Sequence, residues 1–394
     1  MSFSSNRLVF GAVAGTICAG FLAGCNDNQN TTEVLVPKDA FIVTTPSDYS
    51  SSAISIVGNE TPYLAANTLI PTDNSDADIF TNEKYLYRVE RSKRESITKY
   101  DVSAFSGNDA PIWQFSTRAE GEVTSNVHDL VFASPTKAYM LRYDRKDAWI
   151  VNPSATNQAT FKTSTLDFSD YADADGKPEM DHGVIVNCKL FVILQRFDRR
   201  TMNWIAGDAY AAVVDVSSDM EIDTANNGLH KGILLPIQDP ESIQYNAESG
   251  KIFVSGVGSY SDDSKVSGLV EIDPTTYAVR IVLNPKRPIA GSPAYKRISG
   301  SIVISSTKGY FIDYADWNDN ALYAFNPTTG LVDPAPISGL QHKSLANLAY
   351  NATSGLWVGN QSDHGVVIID TNTNRVSATV DTILNPGTIR FIEK

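Results

Sequence analysis

One short strand pattern recurs along the chain and limits the folds available to it. A lysine or glycine precedes a run of β-branched and aromatic residues, as in KAYMLRY (137–143), GKIFVSGV (250–257) and KGYFIDYA (308–315). After a loop, a second run ends in Asp or Asn, as in GLVEIDPTT and GVVIIDTNTN. Such runs, separated by Gly, Pro, Asn and Asp, are typical of β-strands and turns. Since no long stretch has helical periodicity, the sequence predicts an all-β protein.

The unit returns about every 40 to 55 residues, which is the length of one four-stranded blade of a β-propeller. Six complete units are predicted, at 76–116, 126–166, 180–236, 240–283, 288–337 and 342–384. Residues 39–70 hold the second, third and fourth strands of another unit, and the final GTIRFIEK supplies its first strand. The predicted fold is therefore a seven-bladed β-propeller closed by both termini in one blade. The alternative is a six-bladed ring with the N-terminal strands as a separate cap.

The N-terminal segment has the features of an export signal. Arg7 precedes an apolar run, LVFGAVAGTICAGFLAGC, that is rich in small residues. Its end, LAGC, resembles a bacterial lipobox, in which the cysteine is acylated and becomes the mature N-terminus. The chain then divides into a lipoprotein signal peptide (1–24), a polar tether from lipidated Cys25 (25–37) and one propeller domain (38–394). A plain secretory signal with a chance cysteine is the alternative.

Cysteine usage and charge limit the partners. Cys18 lies in the predicted signal peptide, and Cys188 falls in an apolar run, where we expect a buried strand residue. With Cys25 acylated, the mature chain has no disulfide and no cysteine-based zinc site. The lipid would be its only membrane attachment, because no further apolar stretch is long enough to span a bilayer. A net charge of −13 argues against a nucleic-acid partner.

Three arginine-rich segments stand out against this acidic background. YRVERSK, LRYDRK and QRFDRR place Arg88, Arg142 and Arg196 at one constant interval. Ten of the 32 lysine and arginine residues fall in the windows 88–94, 142–146 and 196–200. Each segment should follow the second strand of its blade. If the blades are equivalent, the three arginines occupy matching positions on one sector of one face.

Arginine forks bind carboxylate, phosphate or catecholate oxygens in pairs and stack on rings. With aromatic neighbours, this face suits a small, flat, anionic, partly apolar ligand. The predicted ligand site consists of Arg88, Arg91, Arg142, Tyr143, Arg145, Arg196, Arg199, Arg200, Trp204, Trp317 and His182. The alternative is structural, because each segment carries an acid two residues after its first arginine, on the same strand face, which would allow a local ion pair.

Other chemistry is weakly indicated, and no metal, cofactor or enzymatic activity is predicted. His128, His182 and His342 each precede a predicted first strand and could face the channel, but their blades are not all neighbours. YADADGKPEMDH (171–182) lacks the first and last acids of an EF-hand loop, so we expect a turn held by Asx hydrogen bonds. The sequence contains no nucleophile elbow, P-loop or dinucleotide fingerprint.

Two resemblances extend this interpretation. The repeat GKIFVSG…GLVEIDPTTYAVRIVL resembles YncE-like seven-bladed propellers over most of the mature chain. FIVTTPSDYSSSAISIVGN, just after a lipobox, resembles surface lipoprotein propellers of bacterial outer membranes, some of which capture ferric siderophores beside TonB-dependent receptors. This implies an outer-membrane lipoprotein that captures an anionic ligand, such as a ferric siderophore, for a TonB-dependent receptor. The alternatives are a scaffold that docks protein partners and an enzyme with a metal in its channel.

Overall fold

The computed structural model describes residues 39–392, apart from 104, 106, 108, 201–203 and 226–228. The predicted signal peptide, the tether and Cys25 lie outside these residues. In this part of the chain, no helix has the length and apolar composition that crossing a membrane requires. The helical residues described form three short 3₁₀ turns, at Gln158–Thr160, Ser169–Tyr171 and Gln361–Asp363.

The first half of the described chain begins with three strands and continues with three blades. The leading strands are β1 (Asp39–Thr45), β2 (Ser52–Gly58) and β3 (Ala65–Thr72). Blade 1 contains β4 (Ala77–Asn82), β5 (Tyr85–Glu90), β6 (Ser96–Asp101) and β7 (Trp113–Ser116). Blade 2 contains β8 (Val127–Ser134), β9 (Lys137–Arg142), β10 (Asp147–Val151) and β11 (Lys162–Asp167). Blade 3 contains β12 (Met180–Val186), β13 (Lys189–Leu194), β14 (Phe197–Asp198), β15 (Ile205–Ala206), β16 (Tyr210–Asp215), β17 (Met220–Glu221) and β18 (Ile233–Leu234).

Three further blades and a last strand follow. Blade 4 contains β19 (Pro240–Asn246), β20 (Lys251–Gly256), β21 (Gly268–Ile272) and β22 (Val279–Leu283). Blade 5 contains β23 (Ile298–Ser305), β24 (Lys308–Asp316), β25 (Asp319–Phe325) and β26 (Gln341–Lys343). Blade 6 contains β27 (Leu345–Asn351), β28 (Gly355–Asn360), β29 (Gly365–Asp370) and β30 (Arg375–Asp381). The last strand described is β31 (Asn385–Ile392).

Both ends of the chain build blade 7, in the order β3-β2-β1-β31. β31 pairs antiparallel with β1, and Ile389 lies opposite Ile42. The sheets of the other six blades are antiparallel, with strands in chain order from the channel outward. In blade 3, β13 pairs with β16, which β17 and β18 both flank, and β14 and β15 form a separate two-stranded sheet. The prediction of seven blades with terminal closure is therefore confirmed, and the six-bladed alternative is wrong.

The hydrophobic core is divided among the gaps between blades. Seven clusters of buried side chains are described, and each joins two neighbouring blades. In one, Tyr139 and Leu141 of blade 2 pack with Val192 and Tyr210 of blade 3. Second strands are buried on both faces, which explains why their sequences are continuous apolar runs. Blade-to-blade packing thus holds the ring together.

The repeated turn motif forms as its sequence indicates. The Asp273 carboxylate accepts hydrogen bonds from the backbone N–H groups of Thr275 and Thr276, at 2.9 and 2.8 Å. Asn326 makes the same pair of bonds to Thr328 and Thr329 in blade 5. The side chains satisfy backbone donors that the strand ladder cannot reach, so each motif ends a third strand in the same way.

One prediction about a single residue is corrected. Cys188 lies in the two-residue turn that joins β12 to β13, and its side chain is only partly buried. Asn187 and Cys188 both have positive φ angles, 50° and 58°. Two-residue hairpin turns favour this left-handed geometry because it matches the twist of the flanking strands. The expected strand therefore begins one residue later, at Lys189.

Candidate functional site

The three arginine segments do not occupy matching positions. The second strands of blades 1, 2 and 3 begin at Tyr85, Lys137 and Lys189, which are evenly spaced along the chain. The three arginines are evenly spaced at a longer interval, so each lies two positions further along its strand than the one before. Arg88 is the fourth residue of β5, Arg142 ends β9, and Arg196 lies beyond the last residue of β13. The predicted equivalence is therefore wrong.

The arginines of the first segment are paired with acids and with a backbone carbonyl group of the protein. Arg88 is buried, donates to the backbone oxygen of Ile70 at 2.7 Å and pairs with Glu90 at 3.3 Å. Arg91 pairs with Asp76 at 2.8 Å, outside its own segment. These guanidinium groups tie β5 to the residues just before blade 1.

In the second segment, the first arginine is more deeply buried. The Arg142 side chain is 0% exposed and lies between the carboxylates of Glu122 and Asp147, the second at 2.8 Å. Its guanidinium group also stacks over Trp149, 4.2 Å from the ring centroid. Arg145 pairs with Glu122 at 3.0 Å. A buried cation with two partners and a ring has a structural role that an external anion would have to disrupt.

The arginines of the third segment contact both backbone carbonyl groups and acids. Arg196 donates to the carbonyl oxygens of Tyr171 at 2.8 Å and Asp208 at 3.0 Å. Arg199 reaches Asp144 at 2.8 Å, and Arg200 pairs with Asp198 at 2.7 Å on the surface. The arginines named in the predicted site thus all have partners within the protein. This favours the structural alternative, with partners that mostly lie outside the segments themselves.

Another part of the protein is open. A cavity of about 1070 Å³ runs along the channel, and the first strand of every blade contributes to its wall. One lining residue from each of these strands, in chain order, is Thr81, Asp129, His182, Glu241, Ser301, Ala346 and Thr388. First strands begin, and second strands end, on one face of the ring, which we call the mouth face. Of the predicted site residues, only His182 and Trp317 line the cavity.

Aromatic side chains surround the mouth on the side of blades 4, 5 and 7. This aromatic rim consists of Tyr49, Tyr260, Tyr314 and Trp317, all at the ends of second strands or on the connections after them. Tyr260 and Tyr314 meet edge to face, with centroids 4.9 Å apart. Trp317 is 60% exposed and also borders a side groove of about 240 Å³ that Tyr49 lines. Tyr260, Tyr314 and Trp317 therefore line the open cavity, and Tyr49 lines the groove beside it.

Four acids at the mouth face of blades 1 to 4 form what we call the acidic wall. Asp78, Asp129, Asp181 and Glu241 each stand at the second or third position of the first strand of blades 1 to 4. Glu241 accepts a hydrogen bond from the Tyr260 hydroxyl at 2.9 Å. Burial and the charge of Asp181 raise the pKa of Glu241 to about 8, in spite of that bond. Since burial is the larger cause, Glu241 retains its proton near neutral pH.

Two histidines share this wall. His128 lies 2.6 Å from Asp181 and stacks on Tyr143, with centroids 3.9 Å apart. Burial lowers the pKa of His128, against the effect of Asp181. Burial also acts to lower the pKa of His182, but the charges of Asp181 and Asp129 outweigh it and raise that pKa to about 9. His182 is therefore the cation of the wall.

The third histidine lies elsewhere. His342 belongs to β26, the outer strand of blade 5, where it is exposed and 2.7 Å from Asp319. His342 precedes the first strand of blade 6, as expected, but it lies on the outer strand of blade 5, because that blade ends later than its sequence pattern indicates. His128, His182 and His342 therefore do not come together.

The acidic wall was missed at the sequence level, although a signal was present. The stretches DADIF, NVHDLVF, EMDHGVI and DPESIQY each place an acid where a first strand begins. First strands of a propeller surround the channel, so acids at one end of several of them must converge. This pattern has no fixed residue interval, whereas the arginine pattern does.

Comparison with known proteins supports the fold. The sequence matches no protein-family model, and no curated protein is significantly similar to it. A Lactobacillus plantarum protein of solved structure is 15% identical, with 91% of this chain and 100% of that chain aligned and a TM-score of 0.61. The periplasmic gluconolactonase of Pseudomonas aeruginosa is 14% identical, with coverage of 90% and 99% and a TM-score of 0.58. At these identities the likeness shows the propeller fold alone, and it does not confirm a YncE-like or siderophore-capturing identity.

Replacing Arg142 tests whether its segment is structural. Arg142→Ala would leave Glu122 and Asp147 without their shared cation, and we expect a loss of about 3 kcal/mol in the free energy of unfolding. Arg200→Ala removes an exposed pair and should leave the free energy of unfolding nearly unchanged. Chemical denaturation of both variants gives the comparison. Equal effects would contradict a structural role for Arg142.

The acidic wall predicts a pH dependence. Folded Glu241, with a pKa of about 8, retains a proton that the unfolded chain releases near its ordinary value of 4.5. Stability should therefore fall as pH rises between these values. Glu241 faces Asp239, Asp181 and the Tyr260 hydroxyl, and Glu241→Gln should flatten the decline in thermal midpoint between pH 5 and pH 8.

The exposed acid Asp198 supplies the control for this measurement. The hydrogen bonds and charge of Arg200 lower the pKa of Asp198 to about 2, so Asp198 stays ionised over the same range. Asp198→Asn should leave the slope of the wild-type curve unchanged. A Glu241→Gln curve parallel to wild type would mean that Glu241 is already ionised at pH 5.

Proposed function

We propose that this protein is a ligand-binding propeller of the cell envelope that holds a small organic molecule at the mouth of its channel. The observation that carries the proposal is the aromatic rim at the edge of a cavity of about 1070 Å³, beside the acidic wall that it meets where Tyr260 donates to Glu241. Small-molecule sites in proteins typically combine ring faces with a few placed polar groups in a concave space of about 300 to 1,000 Å³. The mouth has each of these features.

The charge of the mouth favours a cationic ligand. Of the four acids at the starts of first strands, Asp129 and Glu241 line the cavity, while His182 and the nearby Arg91 supply positive charge. Burial, together with the charges of Glu241 and Asp181, raises the pKa of Asp239, so Asp239 and Glu241 retain protons that a bound cation would displace. Ring faces attract cations as well, through their negative quadrupole. An organic ammonium or guanidinium group would satisfy both the rim and the wall.

The proposed ligand therefore has the opposite charge to the one predicted from the sequence. An anionic ligand was expected because of the three arginine segments, but those arginines are paired with acids or carbonyl groups of the protein. Two residues of the predicted site, His182 and Trp317, also belong to the site proposed here. Capture of a ferric siderophore for a TonB-dependent receptor stays a prediction from the sequence resemblance.

Catalysis is the second candidate. One structural neighbour is described as a gluconolactonase. Glu241 has a pKa near neutrality and lies in an open cavity, and both features are needed in a general acid or base. We place binding first, because it is supported by several aromatic residues at the mouth, whereas catalysis is supported by a single carboxyl group.

We also propose that the domain is attached to a membrane, which we take to be the outer membrane, through lipid on Cys25. The motif LAGC supports this. After expression in a Gram-negative host, wild type should fractionate with membranes and be released by detergent. Cys25→Ser should appear in the soluble fraction, since it lacks the acylated residue. Equal partitioning of the two proteins would contradict the anchor.

Binding at the mouth can be tested with matched tryptophan variants. Isothermal titration with benzyltrimethylammonium should give saturable binding, which Trp317→Ala weakens about fivefold through loss of the cation–ring contact. Trp204→Ala is the control, because Trp204 is 54% exposed and lies beside the arginine segments. It should bind the probe as wild type does.

The anionic probe 2,3-dihydroxybenzoate separates the two ligand classes. We expect it to bind more weakly than the cation, because the acidic wall repels it. Preference for the anion, with sensitivity to Trp204→Ala rather than Trp317→Ala, would overturn the proposed site and favour the arginine segments.

A further inference from the structure

A second cluster of acids lies away from the mouth. Asp173, Asp175 and Glu179 belong to the connection between β11 and β12, and each offers one carboxylate oxygen within 4.8 Å of the others. These residues do not line the channel cavity. An acidic cluster alone does not make a site, so the surroundings of each oxygen decide what it can hold.

The connection is rigidly built. Asp173 accepts a hydrogen bond from the backbone N–H of Asp175, and Asp175 accepts one from Lys177, both at 2.9 Å. The Gly176 N–H closes the turn on the Asp173 carbonyl oxygen at 3.1 Å, and Gly176 has a φ of 86°. The expected Asx turn is therefore confirmed. These bonds use Oδ1 of each aspartate and fix both carboxylates side by side.

Glu179 supplies an independent observation. Its side chain is 0% exposed, and Oε2 accepts a hydrogen bond from the backbone N–H of Phe197 at 3.0 Å. Oε1, the oxygen that pairs with Arg199, receives no hydrogen bond. The nearest cation is Nε of Arg199, at 3.3 Å, and the same nitrogen is 3.4 Å from Asp175. A buried carboxylate oxygen without a donor is costly unless another ligand satisfies it.

The local charges do not balance. Asp144, Asp173, Asp175 and Glu179 form one group of carboxylates. Arg199 contacts three of them, and Lys177 lies 3.7 Å from Asp144. Four carboxylates face two cations, and burial raises the pKa of Glu179 to about 8, so a bound divalent cation would displace the Glu179 proton and neutralise the group. Since the donors are all oxygen, a hard cation of the calcium type is preferred over zinc or copper.

We infer that Asp173, Asp175 and Glu179 form a calcium-binding site that fixes the β11–β12 connection against blade 3. The ion takes Oε1 of Glu179 and one oxygen from each aspartate, and Arg199 keeps its contact with Asp144. The site is not an EF-hand, because its third acid is six residues after the first and is held in place by Phe197. It is independent of ligand binding at the mouth.

Calcium titration of the full mature domain tests this site. After treatment with EDTA, CaCl₂ should raise the thermal midpoint in a saturable way, and Tb³⁺ should bind at one ion per chain. Asp175→Asn should weaken Ca²⁺ at least tenfold. Asp173→Asn, at a partly exposed position, gives the same comparison if Asp175→Asn does not fold. Asp198→Asn is the control, since it removes a nearby carboxylate outside the cluster and should change the affinity less than threefold.

Three results would overturn the inference. The first is a midpoint that does not respond to CaCl₂. The second is an equal response to NaCl at matched ionic strength, which would indicate general screening. The third is an equal loss of Ca²⁺ affinity in Asp198→Asn and Asp175→Asn, which would indicate diffuse attraction to an acidic surface.

Discussion

Hydrogen bonding between β31 and β1 is the constraint on which the rest of the structure depends. It joins the two ends of the chain within blade 7 and leaves seven first strands around one cavity. Because the ring is closed, acids that are far apart in the chain, from Asp78 in blade 1 to Glu241 in blade 4, stand at one end of the channel. The convergence of these acids at the mouth is thus a consequence of closure rather than of any local motif.

Arginine has a different role in this acidic protein from the one its spacing suggests. On the side of blades 1 to 3, guanidinium groups neutralise carboxylates and cap carbonyl oxygens, as Arg142 does between Glu122 and Asp147. On the side of blades 4, 5 and 7, the rim leaves Trp317 and Tyr260 open. Internal ion pairs therefore cover the arginine-rich half of the mouth face, and the other half exposes aromatic rings.

Much of the fold could be predicted from the sequence, because turns such as that of Asp273 and apolar second strands such as β20 repeat with the blades. The positions of individual side chains on the mouth face could not be predicted in this way. The interval between the arginines is slightly longer than the interval between the second strands, and that small difference is enough to move a side chain from a strand into a loop. The partners of these arginines, such as Glu122 and the carbonyl oxygen of Tyr171, belong to connections between blades. The spacing of residues within a segment does not show that such a connection lies close to it.

Chemical modification of arginine by phenylglyoxal, mapped by peptide mass, tests most directly whether the arginine segments are closed. We expect Arg200, whose side chain is 59% exposed, to react in the native protein, and Arg88 and Arg142 to react only after denaturation. Reaction of Arg88 and Arg142 at the rate of Arg200 would contradict this. It would mean that the guanidinium groups are open to solvent and available to an anionic ligand.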